Sequence, residues 1–376
     1  MSDFTNFSPS LCVTHNCNLN CVYCYQKHEA NANMSIDTAK GIIDRIFSDA
    51  PENLDDFEIH FIGGEPLLEY DLIKEIVEYT CTKYKKGKKY VFFATTNGTI
   101  LTNEMKKWFK EHIGCFVLGL SLDGIRDVHN HNRSNSFDKI DINFFRQTWP
   151  KQSVKMTLSE YSLNYFAESV KYIHSLGFPI GGVNLCEGSF DWDKDEYIYV
   201  LAKQLKEIVD YYVENNELKV NQMFDKKLSG CESKDKKTKK WCGIGLSTPF
   251  FDIDGEKYPC SFMTPMTFSQ KDIDLFKNTN YSKDEDFLDE ECFNNCYIYP
   301  ICPTCYGANF LGNKTFNKRV KTKCRIQKLI ALFIADLQGK RILKDRSKYE
   351  NTDLFYTIEA IKKIQLLYGK EFEKYI

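Results

Sequence analysis

The chain has 376 residues, 43% of them hydrophobic, and a formal net charge of −2 at pH 7. This length suits one large domain or two ordinary ones. The small net charge gives no field that would draw the protein to nucleic acid or an anionic membrane. No apolar run reaches membrane-spanning length, and the first residues, MSDFTNFSPS, do not resemble a signal peptide. We therefore expect a cytoplasmic protein.

Alternating strand and helix patterns occupy the first 215 residues. Strand-like apolar runs are SLCVTH, FEIHFIG, KYVFFATTNG, CFVLGLSLDG, SVKMTLS and IGGVNLCEG. Helical spacing of apolar residues occurs over 35–49, in LIKEIVEYTCTKY, NEMKKWFKEH and NYFAESVKYIHSLG, and near 194–214. Six such units predict an α/β fold, a partial (β/α)6 TIM-like barrel. In such barrels the chemistry lies at the carboxyl ends of the strands.

Four polar segments follow predicted strands. They are the cysteine loop THNCNLNCVYCYQ at 14–26, GGEP at 63–66, TTNG at 95–98 and SLDG at 121–124. If the barrel forms, all four meet at one mouth. Taken singly, GGEP and Asp123-Gly124 are also ordinary turn sequences, and Arg133 in a polar loop is also typical of a solvated side chain.

The cysteines indicate metal chemistry. Fifteen cysteines in a reducing compartment favour metal or cluster ligation over disulfides. Cys17, Cys21 and Cys24 have the spacing C-x3-C-x2-C with no fourth cysteine nearby. Three thiolates suit a [4Fe–4S] cluster with one open iron, whereas the alternative is a structural zinc completed by His15. Outside the two cysteine groups, Cys12, Cys81, Cys115 and Cys186 are expected to be small buried hydrophobes.

A second cysteine-rich region begins after residue 220. The lysine-rich run SGCESKDKKTKK predicts a solvated linker, and FFDIDGEKYPC predicts a hairpin turning at Asp254-Gly255. The region holds seven cysteines: Cys242, Cys260, Cys292, Cys296, Cys302, Cys305 and Cys324. Seven exceed one four-ligand site, so two clusters, a cluster and a zinc, or a double zinc ribbon are the alternatives. We predict three segments: a barrel over 1–220, a cysteine-rich domain over 221–340 and a helical tail over 341–376.

The first half of the sequence resembles the radical SAM enzymes. CNLNCVYC matches their C-x3-C-x-aromatic-C signature, and GGEP and SLDG match further family motifs in order. The resemblance, over about residues 8–215, implies S-adenosylmethionine bound at the open iron of a [4Fe–4S] cluster. It also implies reductive cleavage to a 5′-deoxyadenosyl radical, which abstracts hydrogen from an unactivated C–H bond.

The same resemblance assigns roles to individual residues. The methionine amino group would bind at Gly63, Gly64 and Glu65, with Pro66 fixing the next turn. Arg133 would pair with the methionine carboxylate, which suits a bidentate guanidinium. Tyr23 would lie near adenine, Ser121 would contact the ribose, and Asn97 occupies the family's TNG position.

The cysteine-rich region resembles the SPASM extension of radical SAM enzymes. The resemblance implies an outer auxiliary [4Fe–4S] cluster on Cys292, Cys296, Cys302 and Cys324. It implies an inner one on Cys242, Cys260 and Cys305, whose fourth iron takes Cys231 or stays open to substrate. Our hypothesis is that such a cluster accepts an electron from a substrate radical, or that an open inner cluster binds a substrate thiolate.

SPASM enzymes mostly modify peptides or proteins. We expect an oxidoreductase that forms thioether or carbon–carbon crosslinks in a ribosomally made precursor peptide and is reduced by a flavodoxin or ferredoxin. The alternative enzyme is a sulfatase-type oxidase forming formylglycine, although Ser261 replaces the Asp of that branch. The non-enzyme alternative is a zinc-stabilised binding protein. We expect no leader-binding winged helix before the cysteine loop. We expect one or two amphipathic helices near the end, packed on the barrel.

Overall fold

The computed structural model describes residues 7–26, 32–52, 54–187, 190–232, 240–348 and 351–376. The chain forms two compact units. The first unit comprises residues 1–122, 133–152 and 242–282, and the second comprises 123–132, 153–241 and 283–376. The segment boundaries predicted near residues 220 and 340 remain predictions.

Eight strands are present in the described residues. They are β1 (Ser10–Thr14), β2 (Asp56–Gly63), β3 (Lys89–Thr96), β4 (Phe116–Leu120), β5 (Val154–Leu158), β6 (Ile180–Leu185), β7 (Phe250–Phe251) and β8 (Lys257–Tyr258). The first six coincide with the six predicted strands. The last two form the predicted antiparallel hairpin, whose turn includes Gly255 at a φ of +83°.

Twelve α-helices lie within the described residues. They are α1 (Ile36–Asp49), α2 (Tyr70–Lys83), α3 (Asn103–Glu111), α4 (Arg126–Asn132), α5 (Ile142–Thr148), α6 (Phe166–Ser175), α7 (Asp195–Glu214), α8 (Gln270–Lys277), α9 (Glu290–Asn295), α10 (Tyr306–Asn313), α11 (Cys324–Lys344) and α12 (Asn351–Phe372). Ser35 caps α1, because its side chain accepts a hydrogen bond from the Thr38 N–H at 3.1 Å.

The first unit is built on a six-stranded sheet of order β4-β3-β2-β1-β7-β8. Strands β1 to β4 are parallel to their neighbours, so their carboxyl ends share one edge. Phe61, Phe92 and Phe116 cross three adjacent strands as fully buried rings, with centroids 5.6 to 6.1 Å apart. This aromatic layer fixes the strand register that aligns the polar segments at the edge.

The second unit contains the parallel pair β5 and β6 and most of the late helices. Helix α11 packs against both α7 and α12. Its buried residues occur all around the helix, among them Leu329, Phe333 and Leu337. The expectation of one or two helices near the end is therefore confirmed, but the expectation that they are amphipathic is wrong for α11, which is buried on all sides.

The α/β fold class is confirmed, with one addition. The short helices α4 and α5 between β4 and β5 were not predicted, because seven-residue segments show too little periodicity for a helical pattern. Among the described residues no helix combines the length and apolarity needed to cross a bilayer.

Phe92→Ala is expected to lower the free energy of unfolding by about 3–5 kcal/mol, because it leaves a cavity in the aromatic layer. Leu366→Ala, at a side chain that is 81% exposed, should change it by less than about 0.5 kcal/mol. Urea unfolding of both variants checks this, and equal losses would contradict the proposed layer.

Candidate functional site

The cysteine loop begins directly after β1 in the first unit. Within it the Cys24 N–H donates to the Cys21 carbonyl oxygen at 3.0 Å, and the Leu19 N–H donates to the Cys17 Sγ at 3.5 Å. Burial raises the pKa of Cys17, with a further increase from the nearby Cys24 thiol. The structure therefore places the Cys17 and Cys24 thiols near each other at the carboxyl end of β1.

The Gly-Gly-Glu segment after β2 is hydrogen-bonded to the end of β1 and the start of this loop. The Gly64 N–H donates to the Thr14 carbonyl oxygen at 3.0 Å, and the Glu65 N–H donates to the Asn16 carbonyl oxygen at 2.8 Å. A Cβ on Gly64 would collide with the Asn16 carbonyl and lie 2.9 Å from the Cβ of Cys17. Only glycine permits this close approach, so the motif shapes the cysteine loop directly.

The Glu65 side chain is buried, with 1% of it exposed. Its Oε1 accepts hydrogen bonds from the Thr96 hydroxyl at 2.7 Å and the Leu67 N–H at 3.1 Å, and its Oε2 accepts from the Asn97 N–H at 2.7 Å. Burial raises the pKa of Glu65 to about 7, although these donors and Arg133 oppose the increase. The carboxyl group thus joins the ends of β2 and β3.

Asn97 connects the turn after β3 to the cysteine loop. Its Oδ1 accepts from the Thr99 N–H at 3.0 Å and the Thr99 hydroxyl at 2.7 Å. Its Nδ2 donates to the Oδ1 of Asn18 at 2.8 Å, between Cys17 and Cys21. These bonds give Asn97 a positioning role toward the loop, which the TNG motif alone did not define.

Arg133 lies in the same site. Its Cζ is 5.4 Å from the centroid of the Tyr23 ring, and only 9% of the residue is exposed. Its positive charge opposes the burial-driven increase in the pKa of both Cys17 and Cys24. A buried guanidinium beside the thiols provides the cation that a carboxylate ligand requires.

Two further predicted residues lie on the same sheet edge. The Ser121 N–H donates to the Thr96 carbonyl oxygen at 3.0 Å, and Ser121 is buried. Pro66 begins the short 3₁₀ helix that follows Glu65. The loop cysteines, Tyr23, Gly63 to Pro66, Asn97, Ser121 and Arg133 are thus all in the first unit. Their assigned cofactor contacts remain predictions.

The Asp of SLDG has a structural role in the second unit. The buried Asp123 accepts hydrogen bonds from the Thr157 N–H at 3.0 Å and the Asn132 Nδ2 at 3.2 Å. It therefore fastens the start of its loop to β5 and to the end of α4, in addition to forming a turn.

His15 makes a contact that was missed in the sequence. Its Nε2 lies 2.6 Å from the Oδ1 of the buried Asp252, and Cys12 lies beside this pair. Two ligands of a tetrahedral zinc are separated by about 3.4 Å, so this short contact is a hydrogen bond. This bond does not test the alternative in which His15 completes a zinc site with the loop cysteines, because a ligating histidine commonly donates its other ring N–H to a carboxylate. The bond ties the cysteine loop to the segment after β7.

The predicted inner ligands Cys242 and Cys260 lie on adjacent segments of the first unit. The Gly245 N–H, three residues after Cys242, donates to the Pro259 carbonyl oxygen at 3.0 Å. The ring of Phe262 lies 4.8 Å, centroid to centroid, from that of Tyr25. The hairpin that carries Cys260 therefore contacts the cysteine loop next to Cys24.

Four thiols converge in the second unit. Burial raises the pKa of Cys302 to about 12, and the neighbouring thiols of Cys296, Cys324 and Cys292 add to this increase. The Cys296 N–H donates to the Cys292 carbonyl oxygen at 2.9 Å across one turn of α9. We call Cys292, Cys296, Cys302 and Cys324 the four-thiol site, and they are the set predicted for the outer cluster.

The remaining predicted ligands also lie in the second unit. Cys305 is the N-cap residue of α10. Cys231 is buried and contributes to the raised pKa of Tyr297 and of Tyr368. Their roles as ligands remain predictions. Of the four cysteines expected to be buried hydrophobes, Cys12 and Cys186 are buried, whereas Cys81 and Cys115 are half-buried neighbours.

Glu65→Gln is expected to change the pH dependence of stability. With a folded pKa of about 7 against an ordinary 4.5, the folded state binds the proton more tightly than the unfolded chain does. This contribution to the free energy of unfolding therefore falls as the pH rises from about 4.5 to 7, by about 3 kcal/mol in total. The glutamine variant should lack this decline.

Urea unfolding of the metal-free proteins at several pH values measures the effect. Glu78→Gln, at an exposed position on α2, is the control and should follow the wild-type curve. If the free energy of unfolding changes with pH in the same way for wild type and Glu65→Gln, the raised pKa of Glu65 is contradicted.

Gly64→Ala is expected to displace the cysteine loop, because the added methyl group would occupy the position of the Asn16 carbonyl. After anaerobic reconstitution the variant should hold about four fewer irons per chain than wild type. Gly41→Ala is the matched control, since its Cβ would meet no atom within 4 Å. Full iron content in Gly64→Ala would refute the close-approach argument.

Residues 11–198 match the Radical SAM superfamily. Over 324 residues the chain is 24% identical to the cysteine-type anaerobic sulfatase-maturating enzyme of Clostridium novyi, covering 77% of this chain and 84% of that enzyme. It is 24% identical over 335 residues to the antilisterial bacteriocin subtilosin biosynthesis protein AlbA of Bacillus subtilis, covering 82% and 69%. A 30% identical stretch of 170 residues covers 44% of this chain and 57% of an uncharacterized protein of Methanocaldococcus jannaschii.

A solved structure shares the fold. Native anSMEcpe with bound AdoMet and Cp18Cys peptide superposes with a TM-score of 0.66 at 20% identity, covering 88% of this chain and 98% of that one. At 20% identity this similarity shows a shared fold and nothing further.

The superfamily match spans half of the chain and contains the cysteine loop, Glu65, Asn97, Ser121 and Arg133. Members of this superfamily bind S-adenosylmethionine and a [4Fe–4S] cluster, and the motif-based prediction of both cofactors is confirmed at that level. The chain belongs to the radical SAM superfamily.

Proposed function

We propose that this radical SAM protein is a maturase that crosslinks a ribosomally made peptide through a thioether or carbon–carbon bond and carries two auxiliary clusters. The observation that carries the proposal is the presence of the four-thiol site in the second unit, in addition to the cysteine loop of the first. The cysteine loop accounts for one cluster only, so four further converging thiols support an additional redox centre.

The donor chemistry of both sites fits iron–sulfur clusters. Three thiols on one loop leave an iron open, whereas four converging thiols complete a closed site. When bound, the first cluster and S-adenosylmethionine supply a 5′-deoxyadenosyl radical that abstracts a hydrogen atom. An electron for this step would come from a low-potential donor such as a flavodoxin or ferredoxin.

The residues of the first unit would bind and orient S-adenosylmethionine. Arg133, buried against Tyr23, is suited to hold the methionine carboxylate. The Gly63 to Glu65 segment would receive the amino group, Ser121 the ribose and Tyr23 the adenine. Since the Glu65 carboxylate already accepts three hydrogen bonds within the protein, we assign the amino group mainly to the backbone of this segment.

A second candidate function is oxidation of a protein cysteine or serine to formylglycine. The similarity to the Clostridium novyi sulfatase-maturating enzyme over 84% of its length favours it. The residue after Cys260 is Ser261, and a hydroxyl is a far weaker base than the aspartate of that branch. We therefore rank peptide crosslinking first, in agreement with the similarity to the bacteriocin biosynthesis protein AlbA.

Replacement of Cys17, Cys21 and Cys24 by Ala is expected to lower the iron content from about twelve to about eight per chain and to abolish formation of 5′-deoxyadenosine. Iron, acid-labile sulfide and the cleavage product are measured after anaerobic reconstitution. Cys81→Ala, outside both cysteine groups, is the control and should retain full iron. Bound zinc with little iron, unchanged in the variant, would instead identify a zinc-stabilised binding protein.

Mass spectrometry separates the two enzymatic functions. The loaded enzyme is incubated with S-adenosylmethionine, reductant and either small peptides encoded beside its gene or a sulfatase-derived cysteine peptide. Crosslinking removes two hydrogen atoms from a peptide, whereas formylglycine formation from cysteine also exchanges sulfur for oxygen. Formylglycine as the sole product would overturn the proposed crosslinking.

A further inference from the structure

The four-thiol site is flanked by two cations from the segment that precedes α11. The Nζ of Lys321 lies 3.2 Å from the Sγ of Cys292 and donates a hydrogen bond to it. The Nη1 of Arg319 donates to the Cys302 carbonyl oxygen at 3.0 Å, and its Cζ lies 4.3 Å from the centroid of the Tyr299 ring. Both cations therefore contact the ligand-bearing turns directly.

Asp289 holds this segment in place. Its Oδ2 accepts from the Arg319 N–H at 2.8 Å, and its Oδ1 accepts from the Cys292 N–H at 3.0 Å. The backbone near Lys321 and the turn that carries Cys292 are thus fastened to the same carboxylate. The contact between the ammonium and the thiol is consequently built into the fold, although half of the Lys321 side chain is exposed.

Two acidic side chains oppose Lys321, namely Asp289 and Glu291. The Oε2 of Glu291, next to Cys292, lies 3.4 Å from the Lys321 Nζ, and three-quarters of the Glu291 side chain is exposed. The Cys292 sulfur therefore faces the Lys321 ammonium, and the more solvated Glu291 carboxylate reduces the field of that ammonium in part.

We propose that Lys321, through its hydrogen bond to Cys292, raises the reduction potential of the cluster held by the four-thiol site. The inference rests on the proposed function, because it requires that the site hold a cluster. Reduction adds one negative charge to a centre that already carries four thiolates, and a cationic donor on a ligand sulfur stabilises the reduced form. The cluster at this site thereby becomes a better electron acceptor than it would be without the lysine. A substrate radical would give it one electron and release one proton to solvent.

A redox titration tests this directly. The full-length protein carries Ala in place of Cys17, Cys21, Cys24, Cys242 and Cys260, which removes the signals of the first cluster and of the inner auxiliary cluster, and is reconstituted anaerobically. Electron paramagnetic resonance then follows the reduced fraction against the ambient potential. The comparison set is Lys321→Met, Lys321→Arg, Glu291→Gln and Lys340→Met, the last at a lysine of α11 paired with Asp210 and Asp336.

Lys321→Met should lower the ratio of reduced to oxidised cluster at least tenfold at a fixed ambient potential, a shift of the midpoint by about 59 mV to more negative values. Lys321→Arg keeps the charge and should stay within about threefold of the parent protein, as should Lys340→Met. Glu291→Gln removes one of the two opposing charges and should shift the midpoint in the positive direction, by less because the Glu291 carboxylate is more exposed.

An unchanged midpoint in Lys321→Met, with iron content equal to that of the parent protein, would overturn the inference. If Lys321→Met loses iron, Glu291→Gln decides, and an unchanged midpoint there would overturn it. Absence of iron at the four-thiol site in the parent protein is a different result, because it refutes the auxiliary cluster of the proposed function itself.

Discussion

The buried carboxylate of Glu65 is the constraint on which the geometry of the first unit depends. It accepts three hydrogen bonds from residues at the ends of β2 and β3, while its own N–H is bonded to the cysteine loop. An N–H group left unpaired in this interior would cost about 1–3 kcal/mol. The three segments at the carboxyl edge of the sheet therefore hold one another in place through hydrogen bonds within the protein.

The cysteine loop is also held from its other side. The His15–Asp252 hydrogen bond and the contact between Tyr25 and Phe262 connect it to the hairpin segment that carries Cys260. The loop of a radical SAM enzyme must hold a cluster and leave one iron accessible, so a fourth cysteine ligand cannot be used to hold the loop. Contacts with neighbouring segments hold it instead. In the second unit, Arg319 contacts the backbone of Cys302 and Lys321 contacts the sulfur of Cys292.

Much of this arrangement was predictable from the sequence because its signals are local. The six strands were evident as apolar runs, and the motifs were found at their ends because parallel strands place their carboxyl termini on one edge. The four-thiol site followed from cysteine spacing and the SPASM resemblance. Gly64 was predicted as a cofactor contact, whereas its place against Cys17 became evident only from the packed backbone.

The contacts that were missed join residues far apart in the sequence. Asp252 lies 237 positions from His15 and resembles any acidic residue of a hairpin, so nothing local identifies it as a partner. The bond between Asn97 and Asn18 spans 79 positions. The Lys321–Cys292 contact depends on Asp289, which fastens two turns that a spacing pattern does not relate. Tertiary pairing of this kind is set by the fold and has no period to detect.

Anomalous diffraction at the iron absorption edge, from crystals of the anaerobically reconstituted protein, would locate each cluster. We expect one iron peak enclosed by Cys17, Cys21 and Cys24, a second within the four-thiol site and a third beside Cys242 and Cys260. A peak at the zinc edge in place of iron, or a cysteine loop without iron beside a loaded four-thiol site, would contradict this expectation.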